Sequence, residues 1–141
     1  MSKLHRAIGT TWVGLGLAVA LYSAAAHHSS SMFDHSRLVT ISGTVKEVRW
    51  VNPHVSILIH GTLEEEGGEA ADWLLETTSP GILTRLGWTR TSLKPGDRVR
   101  ADASPLRDPE EHGGALYSIT SLETGKTFGT NNRVQEKPNR E

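Results

Sequence analysis

VTISGTVKEVRWVNPHVSILI, residues 39–59, alternates apolar and polar side chains in two runs separated by a turn signal. In the first run Val39, Ile41 and Val45 share one parity, and Val48 and Trp50 share the other. Side chains of a strand repeat with period two, so a switch of face requires one inserted residue. A bulge is therefore predicted near Lys46-Glu47, with Gly43 allowing a bend. Asn52-Pro53 marks the turn, and Val55, Ile57 and Ile59 then alternate with Ser56, Leu58 and His60 as a second strand, paired with the first as a hairpin. A long, bent first strand suits a small barrel.

Downstream, Glu64 to Gly68 reads as a solvated acidic loop, because nothing fixes its carboxylates for a hard cation. Trp73 to Thr77 reads as a third strand. Ser79 then offers an N-cap before Pro80 at the first helical position, Ile82, Leu83 and Leu86 follow at helical spacing, and Gly87 can end the turn. Lys94-Pro95-Gly96-Asp97 is a strong turn, Val99 to Ala103 a fourth strand, Leu106 to Gly114 a charged loop and Ala115 to Leu122 a fifth strand. Phe128 is placed to close the core. From Gly129 on, Val134 is the one aliphatic residue, so 129–141 is predicted to be a disordered tail. Five short strands with one helix between the third and fourth is the element order of an oligonucleotide/oligosaccharide-binding (OB) barrel. The predicted fold is thus mainly β, a small five-stranded OB-like barrel with one short helix over 39–128. Its interior is expected to hold Val45, Val48, Ile57, Ile59, Leu75, Leu83, Val99 and Ile119. A five-stranded open sheet or a sandwich would fit the same pattern.

Upstream, Lys3, His5 and Arg6 precede an uncharged apolar run from Ala7 to Tyr22 and then Ser23-Ala24-Ala25-Ala26. That order predicts a signal peptide over 1–26, and the run is shorter than the ~20 apolar residues of a spanning helix. Small residues satisfy cleavage after Ala26, leaving His27 first, and equally after Ala25, leaving Ala26-His27-His28. The polar, serine-rich stretch that follows predicts a flexible arm over 27–38. The expected location is the periplasm or outside the cell, with no membrane-embedded part once processed.

Removing the signal leaves thirteen Lys and Arg against sixteen Asp and Glu, a net charge of −3 with His neutral. Nucleic acid is not expected as a partner, since phosphate binding depends on clustered cations. The chain has no Cys. Thiolate sites, cysteine nucleophiles and disulfides are excluded, and any metal must be held by His, carboxylate, Met or backbone atoms.

Six of the seven histidines follow the signal, and His27, His28 and His35 fall within nine residues of one another. The plain reading is a soluble leader. The chemical reading is a copper site. With His27 first, its α-amine and imidazole chelate one ion and a third imidazole completes a T-shaped set. With Ala26 first, His28 at position three joins the amine and two deprotonated amides in a square-planar nitrogen site. His54, directly after the Asn52-Pro53 turn, is the preferred third ligand, although a lone His after a turn is commonly a backbone-bonded surface residue. His60 shares the parity of Leu58, and His112 lies in a charged loop expected to be solvent-exposed. Met32 and Trp50 offer a softer Cu(I) variant, while Trp50, Trp73 and Trp88 read first as core or rim aromatics. There is no GxSxG, HExxH or glycine-rich phosphate loop, so an enzyme is the least supported class.

Several segments together resemble a known family. They are His27-His28-Ser29, the strand Ser42 to Trp50, Asn52-Pro53-His54-Val55, Thr78-Ser79-Pro80, Gly87-Trp88-Thr89-Arg90, Leu93 to Asp97 and Pro105-Leu106-Arg107-Asp108. They are similar to an exported bacterial family known as domain of unknown function 6152. The resemblance implies export and a small β domain with no established activity. Ser56 departs from it, standing where the resemblance implies an aromatic. The expected function is a periplasmic copper-binding protein using the processed N-terminal histidines. The alternatives are a metal-free OB-like module that binds a protein or oligosaccharide, and a copper-dependent oxidase.

Overall fold

A computed structural model of the protein describes residues 31–130. The expected signal peptide, His27, His28 and the tail from residue 131 lie outside the described residues. The elements are β1 (Val39–Arg49), β2 (Ser56–Leu63), β3 (Ala71–Glu76), α1 (Pro80–Arg85), β4 (Arg98–Pro105), β5 (Gly113–Ser121) and β6 (Thr127–Gly129). Antiparallel pairings run β3-β2-β1-β4-β5-β6, and a parallel pairing of β3 with β5, from Leu74 opposite Gly113 to Glu76 opposite Ala115, closes a five-stranded barrel. The architecture is the predicted OB-like one. Gly129, assigned by composition to the tail, instead ends β6, and Thr130 donates its amide to the carbonyl of Tyr117 at 2.9 Å.

The bulge in β1 is where the sequence places it. Pairing with β2 slips between Val45 and Glu47, making Lys46 the extra residue. The turn before β4 clamps it from the side: the Val45 amide donates to the Asp97 carbonyl at 2.9 Å, and the Gly96 amide donates to the Val45 carbonyl at 2.8 Å. Gly96 has φ +95°, a conformation glycine adopts without steric cost. The Asp97 carboxylate accepts from the Lys94 amide at 2.9 Å and from its ammonium at 3.0 Å. On the other edge Gly43 faces Gly61. A Cβ on either would overlap the backbone of the facing strand, so glycine here permits close approach of two strands at the bend.

Packing follows the parity on each side of the bulge. Val45, Ile57, Ile59, Leu75, Leu83, Val99 and Ile119 are all fully buried, with Ile41, Val55 and Leu116. Val48 is only partly buried, because β4 pairs with β1 no further than Thr44 and leaves the strand past the bulge half-covered. α1 forms as its caps predict: the Ser79 hydroxyl accepts from the Ile82 amide at 3.4 Å and Leu83 enters the core. Trp88 packs on Phe128 with ring centroids 5.0 Å apart and donates its indole N–H to the Gly129 carbonyl at 2.8 Å, which ties β6 to the core.

Ile57→Ala should destabilise the domain by about 2–5 kcal/mol in urea unfolding, through the lost methylenes and the cavity left behind. Asp97 supplies a pH-dependent counterpart. Burial pushes its carboxyl up, but the hydrogen bonds and charge of Lys94 outweigh that and hold it below the usual range. A carboxyl depressed in the folded state stabilises above its unfolded pKa and loses that contribution as pH falls through the folded value. Asp97→Asn should therefore cost on the order of 1–3 kcal/mol at pH 7, and its gap from wild type should narrow in acid unfolding below the ordinary aspartate range.

Candidate functional site

With Ile57, Ile59, Trp73 and Leu75 turned inward, the alternate residues of β2 and β3 face out as the pairs Ser56–Glu76, Leu58–Leu74 and His60–Asp72. The ladder continues past the strand ends. The Val55 amide donates to the Thr78 carbonyl at 3.0 Å, and the amide and hydroxyl of Thr77 donate to the Val55 carbonyl at 2.9 and 3.1 Å. Val55 and Thr77 are buried, so their neighbours His54 and Glu76 emerge together on the outer face. His54 Nδ1 lies 3.9 Å from Glu76 Oε2.

Beside Glu76 opens a cleft of about 360 Å³ lined by Met32, Phe33, Leu74, Leu106 and His112. One wall is the segment before β1. Composition predicts a flexible arm over 27–38, yet from Met32 onward the chain is docked: Phe33 is 6% exposed and bridges to Leu106, the Asp34 amide donates to the Pro105 carbonyl at 2.8 Å, and the Arg107 amide donates to the Met32 carbonyl at 2.9 Å. The physical reason is one aromatic ring, whose burial outweighs the polarity around it. Asp34 accepts from the hydroxyl and amide of Ser36, which hold its carboxyl below the usual range. The other wall is the β4–β5 loop. His112 is solvent-exposed as predicted, but its ring also packs on Trp73 with centroids 4.9 Å apart.

Of the predicted ligands His27, His28, His54 and His35, the last two fall among the described residues. His35 is half-buried and lies edge-to-face with Phe33, centroids 6.1 Å apart, while His54 stands at the β1–β2 loop. No group of three His, Asp or Glu in a metal-holding arrangement occurs among the described residues. His60 Nδ1 donates to the Asp72 carboxylate at 2.7 Å, and Lys46 donates to the same carboxylate at 2.6 Å; hydrogen bonds from Lys46 and then His60 keep Asp72 below the usual carboxylate range. Sequence reading missed Glu76 beside His54 and the anchoring by Phe33. Hairpin register holds the signal for the first, since Ser56 opposite Glu76 puts the residue two before Ser56 at the same strand end.

The sequence matches the family of unknown function DUF6152 over residues 15–115. The chain belongs to that family. The matched span takes in β1 to β4 and the start of β5, and with them His54, Glu76 and both walls of the cleft. Comparison with curated proteins and with solved structures found no match. Among the described residues no helix is long and apolar enough to cross a membrane.

Phe33→Ala should release the docked arm while the barrel stays folded. Native-state hydrogen exchange is the measurement: amides of Asp34 and Arg107 should lose protection, and those of Ile57 and Ile119 should keep theirs.

Proposed function

We propose that the protein acts after export, in the periplasm, and that its processed chain binds one copper ion through the N-terminal histidines with His54 as a further ligand. The docking of Met32 and Phe33 beside Glu76 carries this reading. It tethers the chain only four residues after His28, in a cleft whose Glu76 also borders His54. Four extended residues span about 14 Å at ~3.3–3.6 Å each, which sets the reach of a terminal amine and imidazole from that anchor. The donor set is nitrogen-rich and free of thiolate, which suits Cu(II).

Both processing products remain usable. Cleavage after Ala26 makes His27 a bidentate terminal ligand, which His54 completes. Cleavage after Ala25 puts His28 at position three and makes His54 unnecessary. Intact mass of the processed protein reads which product exists. A metal-free module that binds a protein or oligosaccharide is the second reading. It is favoured by Leu74 and Met32, 45% and 44% exposed at the cleft, on the β2–β3 side with which OB barrels commonly bind ligands.

Chelator competition on processed protein should show one tightly bound Cu(II), and a variant with one extra residue before the native terminus should bind far more weakly, because extension converts the α-amine to an amide. His54→Ala should weaken binding if His27 is first and leave it unchanged if Ala26 is first. Equal copper affinity of extended and processed protein would sink the terminal site and leave the binding module as the reading.

A further inference from the structure

Glu76 is not a ligand in the reading above, yet its backbone is held firmly at the end of β3. Its strand end is locked by the Val55–Thr77–Thr78 ladder, which also fixes the backbone beside His54. The ring nitrogen of His54 nearest to it is Nδ1, 3.9 Å from Oε2. That is beyond hydrogen-bond length, so a direct bond requires side-chain rotation, and both side chains are partly exposed. No other hydrogen bond or ion pair of the described residues engages the Glu76 carboxylate. At the opposite end of the same two strands His60 and Asp72 form the same kind of pair, but Lys46 already neutralises that carboxylate. Glu76 has no such cation.

We infer that Glu76 is a positioning residue: its carboxylate holds the proton of neutral His54 on Nδ1 and so presents Nε2, with its lone pair, to a ligand outside the barrel. The hydrogen bond made by one imidazole nitrogen decides which nitrogen is free to coordinate, and a carboxylate behind a ligating histidine orients the ring and raises its basicity. The identity of the ligand rests on the copper reading; the tautomer does not.

Two measurements keep these apart. In metal-free wild type, long-range nitrogen–proton NMR should show His54 protonated on Nδ1. Glu76→Leu should return it to the Nε2-protonated form that a free neutral imidazole favours, and Glu76→Gln, which retains an acceptor oxygen, should restore Nδ1–H. Glu76→Ala repeats the readout if leucine disturbs the fold. In chelator competition on the His27-first product, Glu76→Leu should lower Cu(II) affinity by about 10–100-fold. A His54 tautomer that ignores the loss of Glu76 overturns the inference. A responsive tautomer with unchanged copper affinity overturns the part Glu76 plays at the metal. A responsive tautomer in a wild-type chain that binds no copper leaves the pair standing and removes the copper reading instead.

Discussion

The barrel depends on how β1 is bent at Val45. Up to Thr44 the strand is paired on both edges, with β2 and with β4; past the bulge at Lys46 it keeps β2 alone. Such an insertion leaves backbone groups of the bulged strand without ladder partners, and the Lys94–Asp97 turn supplies them by taking both the amide and the carbonyl of Val45. The turn is itself held by the Asp97 carboxylate. One buried acidic residue thus fixes a turn, the turn fixes the bulge, and the bulge sets the coil that lets β3 reach β5.

Closure decides what the outer surface can do. Because β5 pairs with β3 only from Gly113 to Ala115, the β4–β5 loop ends beside Leu74, and the segment at Met32 and Phe33 lies against that loop. The cleft is built from three parts of the chain far apart in sequence. Elsewhere on the outer surface Ser42 and Arg100 both bond to Glu64, and hydrogen bonds from Ser42 and then Arg100 hold the Glu64 carboxyl below its ordinary range. Exposed ion pairs of this kind add little stability.

A cysteine-free chain of this size has apolar packing as its main source of stability, and among the described residues the largest fully buried side chains are all Ile, Leu or Val. Histidine and carboxylate pairs are prominent among its exposed polar groups. Two such pairs sit at opposite ends of the β2–β3 face, His60 with Asp72 and His54 with Glu76. The first is saturated by Lys46. The second borders a cleft and the docked segment at Met32 and Phe33, so the two ends of the face differ in what surrounds the pair.

Local pattern was enough for the elements that rest on local physics. The parity switch between Val45 and Val48 located the bulge, Ser79-Pro80 and Gly87 bounded the helix, and Lys94-Pro95-Gly96-Asp97 marked the turn, because period, capping and turn chemistry act over a few residues. The burial of seven of the eight expected core side chains followed from the same alternation, and Val48 escaped because its exposure depends on where β4 stops. Gly129 and Phe33 were hidden by polar surroundings: each is ordered by a partner distant in the chain, Trp88 and Leu106 respectively. The sequence alone singled out His54 as a residue held at a turn. Tertiary structure alone placed Glu76 beside it and the cleft next to both, since strand register and barrel closure are decided by contacts among residues that no local window contains.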